Sequence, residues 1–276
     1  MEVTTKYPDF IIIGAMKCGT TSLYHYLSHH PDIFMPKEKE LDYFVEEINF
    51  SKGEEWYASQ FTQQYKLNGE ASPNYTKAHL FKGVPQKIHQ LLPDVKLIYL
   101  FRDPVERVYS HYIHNYSIGR ETRPLTKALT ADSNYLKTSK YFFQVQEYLK
   151  YFDRSQLLII NAEELRTNKE KVLQKVCAFL GVEFDFEEGI LSQDLHKSKT
   201  KTKRSAFNTW VLNTSVGKFL KNTIPEGWKL YYREKTEKPL KKPVMSTELE
   251  RKIEKNLRED YSNFKKFITD QSTVSE

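Results

Sequence analysis

Phe10-Ile-Ile-Ile-Gly14-Ala-Met-Lys17-Cys18-Gly19-Thr20-Thr21-Ser22-Leu23 is the stretch on which the fold turns. Its first four residues are apolar and mostly β-branched, the composition of a strand buried on both faces of a parallel sheet. Two glycines with four residues between them follow, and then Leu23, Tyr26 and Leu27 recur at helical spacing. The segment therefore reads as strand, glycine-flanked turn and helix. A helix that begins directly after such a turn presents unbonded backbone N–H groups and a positive dipole end, which together cradle a phosphate.

Working outward, two further apolar runs resemble the first, Leu97-Ile-Tyr-Leu-Phe101 and Leu157-Leu-Ile-Ile160. Each leads into a helix. Asp103 as N-cap, Pro104 at the first helical position and Glu106 at the third open one of them. Val172, Val176, Phe179 and Leu180 form another, which Gly181 ends. Thr247 starts a last helix, with Glu250 completing a capping box and Leu249, Ile253, Leu257, Tyr261 and Phe264 on one face. Strands alternating with helices predict an α/β fold, a single domain over 1–276 with a central, mainly parallel β-sheet flanked by helices. Residues 1–8 and 269–276 are expected to fray, and 182–245 to be a loop-rich cover over the cleft. Ligands of such sheets bind beyond the carboxyl ends of the strands, where both the turn after Ile13 and the turn after Phe101 lie.

Composition fits an ordered chain. Its 276 residues include 18 Tyr and 17 Phe but only 10 Gly and 11 Pro, so disorder and low complexity are excluded. A net charge of +6 suits an anionic ligand. The two cysteines, Cys18 and Cys177, cannot form a disulfide framework, and a reducing compartment is expected. No apolar stretch approaches the roughly 20 residues that cross a bilayer. The first residues carry no signal-peptide core, so a cytoplasmic protein without membrane partners is expected.

The chemistry turns on one lysine. In a Walker-type turn the lysine follows the second glycine and the next hydroxyl holds Mg²⁺. Here Thr20 follows Gly19, and the lysine is Lys17, inside the loop. That displacement suits a ligand with a shorter anionic tail and no metal, a shape that a 5'-phosphosulfate has. Arg102 leaves the end of a buried strand and Ser110 lies two helical turns on, a planar fork and a hydroxyl for a second phosphate. A P-loop nucleotide kinase and a non-catalytic binder of polyanions are the alternatives. The first lacks a lysine at position 20, and the second has the Lys-rich stretch from His196 to Arg204 but no nucleic-acid motif.

From Pro8 to about Phe267 the chain resembles the sulfotransferases that use 3'-phosphoadenosine 5'-phosphosulfate (PAPS), within them the heparan-sulfate-type carbohydrate branch and its bacterial relatives. Residues 8–23 resemble that family's 5'-phosphosulfate loop and 102–110 its 3'-phosphate site. Lys39-Glu40-Leu-Asp42-Tyr-Phe44 resembles the "KExHFF" segment, Gly69-Glu70-Ala-Ser72-Pro-Asn-Tyr75 the "GExSPxY" segment, and Ser139-Lys-Tyr141 with the following helix the "GxYxxxLxxW" segment. The resemblance implies PAPS as donor, bound by Lys17, Cys18, Gly19, Thr20, Thr21, Ser22, Arg102, Ser110 and Arg204. It implies Glu40 as general base, Lys17 as stabiliser of the leaving phosphate, and Asp42, Glu70, Ser72 and Tyr141 at the acceptor. Glu70, His25 and His111 are the other candidate bases. No metal is expected. Asp42 stands where the family has histidine, and Ala71 where heparan-modifying members have lysine. The first implies a different acceptor pocket, and the second favours a small-molecule or short-glycan acceptor, a secondary metabolite or a carbohydrate, over a polysaccharide.

Overall fold

Five parallel strands form the centre of the computed structural model, which describes residues 6–62, 64–192, 202–203 and 238–270. They are β1 (Phe10–Gly14), β2 (Ile33–Phe34), β3 (Leu67–Ala71), β4 (Lys96–Phe101) and β5 (Leu157–Asn161), in the order β2-β3-β1-β4-β5. The three apolar runs expected as strands become β1, β4 and β5, the middle and one edge of the sheet. Ile11 pairs with Glu70 on one side and Leu97 on the other, and every residue of β1 is buried. This two-sided burial is why β1 is apolar throughout rather than alternating.

The other side of the sheet departs from a simple hydrophobic reading. β3 is Leu-Asn-Gly-Glu-Ala, yet Asn68 and Glu70 are almost wholly inside. Gly69 lies against Phe10, whose ring carbon would stand 2.2 Å from an added Cβ, so the glycine lets β3 approach β1. Asn68 is held by the Asp9 carboxylate, which accepts from its N–H at 2.7 Å, while its own side-chain oxygen accepts from Thr62 N–H at 3.1 Å. These bonds offset part of the desolvation cost, while Asn68 Nδ2 is buried without a partner among the described residues.

Helices flank the sheet: α1 (Thr20–Leu27), α2 (Glu54–Ala58), α3 (Val84–Leu91), α4 (Pro104–Ser117), α5 (Leu125–Ala128), α6 (Asn134–Lys137), α7 (Tyr141–Tyr148), α8 (Ala162–Thr167), α9 (Lys169–Leu180), α10 (Glu188–Leu191) and α11 (Thr247–Thr269). Asp103 caps α4 by accepting from Glu106 N–H at 2.9 Å, and Gly181 ends α9 with φ 81°. α11 starts at Thr247 as expected, but its N-cap is Ser246, which accepts from Leu249 N–H at 3.3 Å, so the capping box expected of Thr247 and Glu250 gives way to this cap. Leu249, Ile253, Leu257 and Phe264 are buried and Tyr261 is half-buried, the single stripe expected. Each of these side chains contributes about 1.5 to 3 kcal/mol by leaving water, and together they clamp α11 over α4 and α7. Within 182–245, α10 and the antiparallel pair β6 (Thr202–Lys203) with β7 (Lys238–Pro239) are described. Arg204, with Lys197 and Ser198, lies outside the described residues.

Candidate functional site

The turn after β1 is built for close approach of an anion. A Cβ on Gly14 would stand 1.9 Å from Thr76 Oγ1, because that hydroxyl crosses the strand end to donate to the Ile13 carbonyl at 3.0 Å. Lys17 adopts φ 71° and Gly19 φ 88°, two left-handed residues that fold the loop back over the start of α1. No side chain caps α1. Its first amides therefore face outward, as helix N-termini do when a ligand supplies the acceptor. Ser22 N–H is already committed to the Gly19 carbonyl at 3.0 Å, which narrows the cradle to the residues before it. Cys18 points inward, fully buried, with Tyr141 Oη 3.6 Å from its sulfur. Burial raises the pKa of that thiol.

β4 runs beside β1 in parallel, so the turn after Phe101 opens at the same sheet edge. Arg102 is part-exposed and ion-pairs with Glu106 one turn on. The Glu106 side chain thus turns to Arg102 rather than back to the Asp103 amide, so only half of a capping box forms. Ser110 is part-exposed two turns further along α4.

Glu40 reaches the loop from the opposite side. Its N–H donates to the Ala71 carbonyl at 3.2 Å, which fixes it at the end of β3, the other neighbour of β1. Glu40 itself has φ 64°, and Lys39 Nζ bridges its carboxylate, at 3.1 Å, to the Thr21 hydroxyl at 3.2 Å on α1. A half-exposed carboxylate so placed stands beside the phosphate turn.

Behind Glu40 lies a buried polar chain. Glu70 is fully enclosed, and its carboxylate accepts from Ser72 at 2.6 Å, Tyr75 at 2.7 Å and Tyr57 at 2.5 Å. Burial pushes the carboxyl up to about 7 against the opposing pull of those three hydroxyls. Ser72 Oγ accepts in turn from Asp42 N–H at 3.0 Å, and Asp42 Oδ2 accepts from Asn74 at 2.7 Å. Lys77 Nζ donates to the same Asn74 amide at 2.6 Å. Asp42, pushed up to about 6 by burial, keeps its Oδ1 buried and without a partner among the described residues. Of the four residues expected at the acceptor, Asp42 thus carries an unsatisfied oxygen beneath the surface. Glu70 and Ser72 support it from beneath, and Tyr141 lies under the phosphate loop with no exposure.

Two residues were missed in the sequence. Arg107 is completely buried and reaches back to the loop, its Nη1 donating to the Met16 carbonyl at 3.3 Å. Lys77 is nearly buried, and burial pulls its ammonium down to about 8. Regular spacing around Arg102 and Ser110 could have flagged Arg107, but nothing in the sequence marks Lys77. His111 is unsuited to act as a base, since burial and then the neighbouring Arg107 hold it down to about 2. His25 sits in the last turn of α1, its ring tilted by 53° and 4.4 Å from that of His29. Among the described residues no three His, Cys, Asp or Glu side chains gather as metal ligands.

Comparison with known proteins agrees with this layout. Residues 7–265 match the model of the sulfotransferase domain. The chain is 32% identical over 228 residues to the mouse bifunctional heparan sulfate N-deacetylase/N-sulfotransferase 4, a match covering 70% of this chain and 26% of that protein. The human N-deacetylase/N-sulfotransferase 3 is 30% identical over 228 residues, covering 71% and 26%. The chain thus spans about a quarter of the length of these relatives. Among solved structures, a sulfotransferase from Alicyclobacillus acidocaldarius superposes with a TM-score of 0.61 at 28% identity, covering 81% of this chain and 99% of its own. A mouse sulfotransferase complexed with PAP shares the fold, with a TM-score of 0.55 at 16% identity over 98% of this chain and 90% of its own. Matched over nearly its whole length, with the phosphate turn, the Arg102 turn and Glu40 meeting at one sheet edge, the chain belongs to the sulfotransferase domain family.

Proposed function

We propose that this sulfotransferase takes its sulfuryl group from PAPS and delivers it to a hydroxyl or amine of a small-molecule or short-glycan acceptor, in the cytoplasm. The observation that carries the reading is the pairing of two anion subsites on adjacent parallel strands, Lys17 in the turn after β1 and Arg102 with Ser110 after β4. Two separated phosphates on one nucleotide match two separated subsites. PAP in the mouse neighbour supports the same donor, and the two buried free thiols suit a reducing compartment.

In the reaction the acceptor oxygen or nitrogen attacks sulfur in line with the bond to the 5'-phosphate oxygen. That S–O bond breaks, and adenosine 3',5'-bisphosphate leaves. Glu40 takes the acceptor proton, the role of a general base beside the transferred group. Lys17 and the amides that open α1 hold the charge that develops on the leaving phosphate, where fixed donors count most. Arg102 and Ser110 grip the 3'-phosphate and keep the nucleotide aligned.

Thermal melts with adenosine 3',5'-bisphosphate and with ATP plus Mg²⁺ test the donor, and sulfur-labelled PAPS with a panel of hydroxyl and amine acceptors tests the transfer. The expected result is stabilisation by the bisphosphate, labelled product, and a rate that falls roughly 10²- to 10⁴-fold in Glu40→Gln with unchanged bisphosphate affinity. Stabilisation by ATP plus Mg²⁺ alone sinks the reading in favour of a kinase. Bisphosphate binding without transfer to any acceptor favours a non-catalytic binder.

A further inference from the structure

Arg107 is a charge without a counter-charge. Its side chain is completely buried, and burial lowers its pKa. All its hydrogen-bond acceptors are neutral: Ser139 Oγ at 2.6 Å, the Tyr135 carbonyl at 2.5 Å, the Met16 carbonyl at 3.3 Å and His111 Nδ1 at 3.4 Å. Among the described residues no carboxylate lies within ion-pair distance of it. Such partners satisfy the N–H groups of a guanidinium but leave its charge uncompensated, and a buried cation of that kind costs several kcal/mol. Arg102 opposes its charge, and the Tyr141, Cys18 and Tyr99 beside it are themselves kept in their neutral forms by burial. Burial first, and then Arg107, lower the pKa of Lys77 and of His111. Asp42 and Glu40 act on Lys77 from the acceptor side, which leaves the side of the phosphate turn positive.

We propose that Arg107 is a positioning residue whose buried charge is neutralised by the bound donor, and which joins the two phosphate subsites. It stands on α4 between Arg102 and Ser110, and its Nη1 holds the Met16 carbonyl of the turn that carries Lys17. One rigid side chain thereby fixes the loop for the 5'-phosphate relative to the helix for the 3'-phosphate. Its field draws a doubly phosphorylated nucleotide more strongly than a singly phosphorylated one. The inference rests on the donor reading proposed above.

Calorimetric titration with adenosine 3',5'-bisphosphate and with adenosine 5'-phosphate, at several salt concentrations, separates this role from that of structural glue. The proteins to compare are the wild type, Arg107→Met and Arg107→Lys. Arg107→Met, which keeps the bulk and loses the charge, is expected to weaken bisphosphate binding roughly 10- to 100-fold and to flatten its salt dependence, the size of a charge effect across a partly screened interior. Arg107→Lys keeps the charge and loses the fork, and is expected to stay within about five-fold with the wild-type salt slope. Equal binding by wild type and a folded Arg107→Met overturns the inference, as does an Arg107→Lys as weak and as salt-insensitive as the methionine variant. Where Arg107→Met gives no cooperative melt, Arg107→Lys decides alone. A retained salt slope supports the charge role and a flattened one refutes it. A wild type that binds no bisphosphate refutes the donor reading itself, a result distinct from a wild type that binds and a variant that binds equally well.

Discussion

Replacing Glu70 by Gln keeps the shape of a fully buried side chain and removes its ionisation, and the consequence can be worked from the structure. The carboxyl titrates near 7 when folded against an ordinary 4.5, with desolvation as the leading cause. A folded value above the unfolded one means that the native state holds a proton that the unfolded state has released. Stability from this group is therefore full below about pH 4.5 and is lost as pH rises through 7. Two and a half pH units at 1.36 kcal/mol each come to about 3 kcal/mol, an upper bound because the three hydroxyls reorient as the carboxyl ionises. The partners sharpen the expectation. Ser72, Tyr75 and Tyr57 all donate to the carboxylate, so the protonated form must turn one of them round or direct its proton elsewhere. Asp42 titrates upward by the same mechanism, near 6, and adds a slope of the same sign at lower pH. The difference between wild type and Glu70→Gln cancels that contribution. Urea unfolding at half-unit steps from pH 5 to 8.5 measures it. The wild type is expected to lose stability relative to Glu70→Gln across pH 5 to 7.5, by about 2 to 3 kcal/mol, and to run parallel above. Parallel curves over the whole range would refute the assignment of a largely neutral, desolvated Glu70 to the native state.

Two other substitutions follow from the local geometry. Gly14→Ala sets a Cβ 1.9 Å from Thr76 Oγ1 and is expected to cost about 1 to 3 kcal/mol by overpacking. Thermal melts of Gly14→Ala, Thr76→Ala and the double variant should show a loss well below additive, because removing Thr76 Oγ1 relieves the clash, and strict additivity would count against steric closeness as the reason for the glycine. Glu106→Ala releases Arg102 from an exposed ion pair whose worth is about 0.2 to 1 kcal/mol, so adenosine 3',5'-bisphosphate should bind up to about five-fold tighter by titration calorimetry. Weaker binding would mean that Glu106 orients the arginine instead of competing with the 3'-phosphate.

What was legible in the sequence, and what was not, divides along a physical line. β1, β4 and β5 are buried on both faces and so declare themselves as apolar runs, and α11 declares itself by its stripe. β3 does not, because Asn68 and Glu70 are solvated by side chains from Asp9, Tyr57, Ser72 and Tyr75 that are distant in sequence or read as turn. Its burial depends on hydrogen bonds that exist only after folding, and no local pattern announces those. The candidate site divides in the same way. Lys17 and Arg102 stand in short segments whose spacing carries their chemistry, so they could be named in advance, whereas Glu40 sits in a charged run and is marked only by the family resemblance. Lys77 becomes part of the site only through Asn74 and Asp42, and Asp42 comes to it from thirty-two residues earlier in the chain.

Arg107 lies in plain view in the same segment as Arg102, yet its role reverses what position suggests. Arg102 precedes α4 and Arg107 lies within it, five positions on, and the two side chains go different ways. The first goes to the surface and finds a carboxylate, and the second goes inside and finds none. A protein that only needed a helix anchored to a loop could have used a neutral side chain for the contact with Met16 O. A full charge retained in a site without an anion costs stability in the empty protein, and that cost is offset once an anion arrives. Asp42 Oδ1, buried without a partner among the described residues, is a second group that the fold leaves incomplete, on the side of Glu40. On the proposed reading the donor completes the first, so the empty protein should melt lower than its complex with adenosine 3',5'-bisphosphate.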